Sequence, residues 1–281
     1  MAFATPETQS LLSAQISVSY AGKPAVLRDV DFEIKRGEVL GLVGQSGSGK
    51  STLALAILGL LEKKHVRVDG AIYFQDSDLL QLAERDLREL RGRAIALVLQ
   101  SPLSALNPAL KIRTQLAEAW RAHASGATRE CRNAIQASLR SVSLPADEEF
   151  LRKYPSQMSV GQAQRVLIAM AVMHRPALLI ADEATSALDV ITQSEILALF
   201  RELNRSTGMA ILYISHDLAS VAGICDRIAI LHRGEIVECE TTEQIFANPQ
   251  QEYTQRLMAA MPRILVASAN LHRKTEAAVA R

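Results

Sequence analysis

Val39-Leu40-Gly41-Leu42-Val43-Gly44-Gln45-Ser46-Gly47-Ser48-Gly49-Lys50-Ser51-Thr52 is the stretch that decides the fold. Val39 to Val43 form a continuous apolar run, the pattern of a strand buried on both faces of a parallel sheet. Gly44 to Ser51 then match the phosphate-binding loop pattern in full, and a helical pattern follows over 51–61. Glycines let the backbone curl so that successive N–H groups point at phosphate oxygens, and the helix start adds the positive end of its dipole. In that context Lys50 neutralises the β- and γ-phosphates, and the Ser51 hydroxyl ligates Mg²⁺. Gly44, Gln45, Ser46, Gly47, Ser48, Gly49 and Thr52 complete the cradle.

Working outward, apolar runs recur at 177–181, 210–214 and 228–231, and helical patterns over 162–174, 191–203 and 218–224 separate them. Strands alternating with helices predict an α/β fold, a P-loop NTPase core with a doubly wound, mostly parallel sheet. Over 26–34, Val30, Phe32 and Ile34 alternate with Asp31 and Glu33, the period of a half-buried antiparallel strand in an N-terminal β-subdomain. The stretch 101–156 breaks the alternation and reads as helices over 111–124 and 129–142. Ser125-Gly126 separates them, and Thr128 is the expected N-cap of the second. The expected organisation is one ATPase domain over 1–262, with an inserted helical subdomain at about 101–160, and a short C-terminal tail over 263–281.

Composition excludes several classes. Among 281 residues, 31 basic stand against 30 acidic side chains, so there is no electrostatic case for a nucleic-acid partner. Cys131, Cys225 and Cys239 are too scattered for a disulfide framework or a metal cluster and read as reduced thiols. The N-terminal stretch lacks the basic-then-apolar pattern of a secretory signal. No apolar run approaches the ~18 residues a membrane span needs, so a soluble chain is expected, reaching the membrane only through a partner.

Further candidates lie at the ends of the predicted strands. Asp182 and Glu183 follow the run 178–181; on the sheet edge of a P-loop, Asp182 can hold the Mg²⁺ shell and Glu183 can act as general base toward water. His216 leaves the strand at 210–214, where a γ-phosphate sensor sits. Gln100 ends the run 95–99 at the junction with the helical stretch, placed to contact Mg²⁺ or the attacking water. Met158-Ser159-Val160-Gly161-Gln162 is a second Gly/Ser element, lying between the loop and the acidic pair at the start of a helix.

Taken together, the P-loop, Gln100, residues 158–165, the acidic pair, Ser186-Ala187-Leu188-Asp189 and His216 resemble the ATP-binding subunits of ATP-binding cassette transporters, in the family's order over roughly 14–262. The resemblance implies an ATPase using ATP and Mg²⁺, with Glu183 activating water and His216 and Gln100 sensing the γ-phosphate. It implies that Tyr20 stacks on adenine, a sheet-face tyrosine being the alternative. It also implies a signature acting in trans: Ser159, Gly161 and Gln162 of one subunit cap the nucleotide on the other's P-loop, with Asp189 in the adjoining D-loop. Gln100-Ser101-Pro102-Leu103-Ser104-Ala105-Leu106-Asn107-Pro108, and Ile245-Phe246-Ala247-Asn248-Pro249 with Tyr253-Thr254 and Leu257, resemble segments of dipeptide, oligopeptide and nickel importer ATPases. Partners so implied are a second ATPase subunit, two transmembrane permease subunits contacted through 101–120 and, indirectly, a solute-binding protein, with the chain on the cytoplasmic face of the inner membrane. Some members carry a later cysteine cluster for an iron–sulfur centre; no cysteine follows Cys239, so none is expected. Val160 stands where the family has a glycine and Ala184 where it has a proline, and the first departure favours a heterodimer over a homodimer. A soluble cassette ATPase in DNA repair or cofactor assembly is the alternative.

Overall fold

The computed structural model describes residues 10–260 apart from Lys23 and Lys63. Strand β1 (Ser10–Tyr20) is followed by β2 (Ala25–Lys35), β3 (Val39–Val43), helix α1 (Lys50–Ile57), β4 (Val66–Phe74) and β5 (Ser77–Asp78). Next come α2 (Glu84–Leu90), β6 (Ile95–Val98), α3 (Pro102–Ala105), α4 (Ile112–Arg121), α5 (Thr128–Ser141) and α6 (Glu148–Leu151). A 3-10 turn at Pro155–Gln157 leads to α7 (Val160–Val172), β7 (Leu178–Asp182), α8 (Val190–Thr207) and β8 (Ala210–Ser215). The described chain ends with α9 (Leu218–Ala222), β9 (Arg227–His232), β10 (Glu235–Thr241), α10 (Thr242–Ala247) and α11 (Glu252–Ala259). It divides into two compact units, one of residues up to 80 with those from 212 onward, the other of residues 81–211.

In the first unit an antiparallel sheet runs in the order β2-β1-β4-β5. The register puts Ala14 opposite Phe32 and Ile72, so alternate residues of each strand fill one buried face. Beside it, β3 pairs in parallel with β9, Leu42 opposite Ala229 and Val43 opposite Ile230, and β9 pairs antiparallel with β10. Every residue of β3 is buried, as its apolar run predicts. A Cβ on Gly41 would lie 2.3 Å from Val221 Cγ1, so only glycine lets α9 pack on this strand. Asp226 fixes where β3 starts: its carboxylate accepts from Val39 N–H (2.8 Å) and its own N–H donates to Val39 C=O (2.8 Å).

In the second unit β6 and β7 are parallel, Ile95 opposite Leu178 and Val98 opposite Ala181. The stretch 101–156 is helical wherever it is regular. Ile112, Leu116 and Trp120 of α4, and Cys131, Ile135 and Leu139 of α5, recur at fourfold spacing and are buried, the apolar stripes by which amphipathic helices make a core.

The fold is α/β with a mostly parallel sheet and a separate antiparallel sheet, as the alternation predicts. Details differ. Helix α1 stops at Ile57 rather than 61, because Gly59 turns left-handed (φ 61) and Leu60 N–H returns to Leu55 C=O, a glycine stop. Thr128 is not an N-cap but the first residue of α5; Glu130 reaches back to the Ala127 N–H (3.2 Å) instead. Strands β1, β4 and β10 were not anticipated, although Leu12, Ala14, Ile16 and Val18 alternate plainly enough to mark β1. The expected tail over 263–281 lies outside the described residues.

Candidate active site

In the first unit, the loop after β3 takes its shape from glycines with positive φ, Gly47 at 80° and Gly49 at 109°. That region costs an L-residue about 1–2 kcal/mol. A Cβ on Gly44 would fall 2.3 Å from the Leu231 carbonyl oxygen, so the loop starts flush against the end of β9. Gly49 N-caps α1 without a side chain to offer, leaving the first-turn N–H groups without a side-chain cap. Lys50 is 5% exposed, and its Nζ donates to the carbonyls of Gly44 (2.8 Å) and Gln45 (3.1 Å). Ser48 Oγ is buried with no hydrogen-bond partner, while Gln45, Ser46, Gly47 and Ser51 face solvent and Thr52 is half-buried. Glycine-shaped backbone and the buried ammonium of Lys50 are thus brought together at the start of α1.

Tyr20 ends β1, half-buried, and lines a pocket of about 420 Å³ with Ala21, Lys64, His65 and Arg67; no P-loop residue lines that pocket among the described residues. His216 is exposed in the turn from β8 to α9. The turn is fixed around it: Asp217 N–H donates to Ser215 Oγ (3.0 Å), and the Asp217 carboxylate caps α9 through the N–H groups of Ala219 and Ser220.

In the second unit, Asp182 is the last residue of β7 and Glu183 the first beyond it, at φ 49. A non-glycine residue held there is strained, and such strain concentrates where a side chain must be aimed. Gln100 joins this group: its Nε2 donates to Ser186 Oγ (2.9 Å), which donates to the Glu183 carbonyl (3.0 Å). A change at Gln100 is thereby one side chain from the acidic pair.

The signature element starts α7 at Val160, two residues earlier than its pattern predicts. Ser159 is the N-cap. Its Oγ accepts from Gln162 N–H (3.2 Å), and Gln162 Oε1 accepts from Ser159 N–H (3.2 Å). Val160 is 39% exposed and points away from the core. Gly161 is constrained within the chain, since a Cβ there would lie 2.7 Å from Thr192 Cγ2. Thr192 is in turn held by Asp189, whose carboxylate N-caps α8 and takes the Thr192 hydroxyl (2.7 Å). These bonds from Thr192 hold the Asp189 carboxyl below the usual carboxylate range. Signature and D-loop are thus one packed piece.

Gln164 was not read as functional. It is wholly buried, its Nε2 3.5 Å from the Leu99 carbonyl and its Oε1 without a partner, tying α7 to the residue before Gln100. The available signal was an amide on the apolar stripe of α7.

Comparison with known proteins agrees with this geometry. The family model described as ABC transporter matches residues 27–186. The dipeptide transport ATP-binding protein DppD of Bacillus subtilis (strain 168) is 40% identical over 254 residues, 90% of this chain and 76% of that protein. The glutathione import ATP-binding protein GsiA of Escherichia coli (strain K12) is 41% identical over 248 residues, 86% of this chain, which spans only 40% of GsiA. Among solved structures, cbiO1 from Clostridium perfringens, part of an ABC transporter complex, superposes with a TM-score of 0.76 at 26% identity, covering 92% of this chain and 98% of that one. The ATP-binding cassette MJ0796, a dimer bound to ADP and Pi, gives 0.71 at 28% identity over 82% of this chain and 98% of its own. Matched by that family model over more than half of its length, and 40% identical to a relative of which it covers 76%, this chain belongs to the ABC transporter family.

Proposed function

We propose that the chain is the ATP-hydrolysing subunit of an importer for peptides or a related small solute such as nickel, docked on the inner face of the membrane through permease subunits. The observation that carries the reading is the buried Lys50, held over the uncapped start of α1 by the loop's own carbonyls. On ATP binding Lys50 exchanges those carbonyls for β- and γ-phosphate oxygens, and the loop N–H groups take the rest. Tyr20 receives the adenine face. Glu183 accepts a proton from water as its oxygen attacks the γ-phosphorus; the bond to the β–γ bridging oxygen breaks, and ADP leaves with the electron pair. His216 and Gln100 contact the γ-phosphate, and Gln100 passes its state toward 101–120.

Ser51, Asp182 and Gln100 offer hydroxyl, carboxylate and amide oxygens, the hard donors Mg²⁺ prefers, so the donor set fits that ion. Held by these oxygens, Mg²⁺ would supply charge neutralisation to the phosphates.

The permease reading is supported by exposed apolar side chains at Leu99 (45%) and Leu103 (47%), beside Gln100. Among the described residues no helix is long and apolar enough to cross a membrane. A second ATPase subunit supplies the facing signature, and Val160 favours a partner of different sequence. A solute-binding protein delivers cargo from outside. The names of the relatives, dipeptide and glutathione importers, favour a peptide-class solute.

The test is the assembled complex carrying Glu183→Gln. ATP binding retained with hydrolysis lowered at least about 10²-fold is expected; unchanged hydrolysis removes Glu183 from the mechanism. Failure of the chain to co-purify with hydrophobic membrane subunits turns the reading toward a soluble cassette ATPase.

A further inference from the structure

The C-terminal segment at 245–257 singled out in the sequence has no part in the mechanism above, yet the structure seats it against the phosphate-binding loop. We propose that Tyr253 is a positioning residue for that loop, its hydroxyl receiving the Gln45 backbone N–H when nucleotide is bound.

The segment is held firmly. Glu238, buried in β10, accepts the N–H groups of Gln250 (2.8 Å) and Gln251 (3.2 Å), and Gln255 Nε2 donates to the Pro249 carbonyl (3.0 Å). Helix α11 therefore starts from a fixed point, and its Thr254 is wholly buried. The Tyr253 ring stacks on His232, with centroids 3.7 Å apart and planes at 26°. His232 closes β9 and follows Leu231, the residue whose carbonyl leaves no room for a side chain at Gly44. Ring, strand end and first loop glycine thus form one continuous contact.

The hydroxyl is the informative atom. Tyr253 Oη is buried with no hydrogen-bond partner, a state costing about 1–3 kcal/mol that natural structures rarely keep without a use. Burial pushes the Tyr253 phenol pKa up, and the Gln45 backbone N–H beside it draws it part of the way back. The Gln45 residue would then be held from both sides, its carbonyl by Lys50 Nζ (3.1 Å) and its N–H by Tyr253. Docking of the C-terminal segment thereby tunes how tightly the loop grips phosphate, while the chemical step is left to other residues.

The inference rests on reading 44–51 as the nucleotide loop, and the experiment separates the two. Steady-state ATPase kinetics, fluorescent-ATP binding and thermal melting are measured on the full chain in its complex. Tyr253→Phe keeps the stack and deletes only the hydroxyl. It is expected to raise KM for ATP roughly fivefold, the worth of one neutral hydrogen bond, with kcat within about twofold and Tm unchanged or raised. An unchanged KM in Tyr253→Phe overturns the proposal even if Tyr253→Ala is impaired, because packing alone then accounts for the segment. A parallel loss of kcat and Tm in Tyr253→Phe overturns it as well. Lys50→Ala is the control for the loop: if that variant binds ATP as tightly as the parent, the nucleotide reading itself fails, whatever Tyr253 does.

Discussion

Helices α1 and α7 both begin on a Gly/Ser loop, but they treat their first turn in opposite ways. Helix α1 is capped by Gly49 at φ 109, which has no side chain to give, and its first residue is the buried Lys50. Helix α7 is capped by Ser159, and the Ser159–Gln162 pair satisfies donors at both positions within the chain. The first loop takes its shape from glycines and starts its helix with no side-chain cap. The second closes its capping box within the chain. The same residue types thus start one helix without a side-chain cap and the other with a closed one.

The contrast is broken most severely at Lys50. Lys50→Ala removes the buried charge at the start of α1, and kcat/KM for ATP should fall by about 10²–10³-fold, the scale of a lost phosphate-stabilising group. Thermal stability should hold or rise slightly, since a buried cation and its desolvation cost are removed. An ATPase assay and a melting curve on one preparation check both; a fall in Tm matching the activity loss would make Lys50 structural.

Gly49→Ala comes next. The left-handed φ and a Cβ 2.5 Å from Leu27 Cδ2 act together, and Leu27 is fully buried and cannot swing aside. About 2–3 kcal/mol of stability should be lost, with ATP binding weakened too. Urea melts and fluorescent-nucleotide titration read the two effects; an unchanged midpoint would mean that the loop relaxes freely.

Much of this was legible in the sequence, for a physical reason. Val39 to Val43 and Gly44 to Ser51 are local codes in which burial on both faces and anion binding each demand a residue type at a fixed spacing. The chain alone therefore placed β3, Lys50 and the end of β7. Strand β10 went unseen because Glu235–Thr241 is only partly buried, and Glu238 within it is buried to hold the N–H groups of Gln250 and Gln251. The Thr128 cap failed because Glu130 reaches the same end of the helix from inside. Links such as Gln100 to Ser186, or Tyr253 to His232, join residues far apart in sequence. No window along the chain carries their signal.

Ser159→Ala tests the self-sufficiency of α7. The Gln162 N–H loses its acceptor and the capping box opens, at a cost of about 1 kcal/mol and a Tm drop of about 2–4 °C. If the cap matters only within the chain, ATPase activity of the complex falls no more than stability does. Activity falling much further would show that the Ser159 hydroxyl also serves the facing nucleotide.

Val160→Gly is a small change in stability and the one that sharpens the comparison furthest. Val160 is partly exposed at the first position of α7 and fills no buried space, so glycine costs only its backbone entropy, about 0.5 kcal/mol. Gly161, by contrast, is required by Thr192 inside the chain. The two positions therefore answer to different demands, Gly161 to the fold and Val160 to whatever faces α7 from outside. If a β-branched side chain there holds the partner's phosphate away from the helix start, Val160→Gly should raise the ATPase rate of the assembled complex by about two- to fivefold. Melting of the isolated chain should stay within about 2 °C of the parent. An equal rate in parent and variant would mean that Val160 does not limit the facing site, and the argument for an asymmetric pair would lose its physical basis.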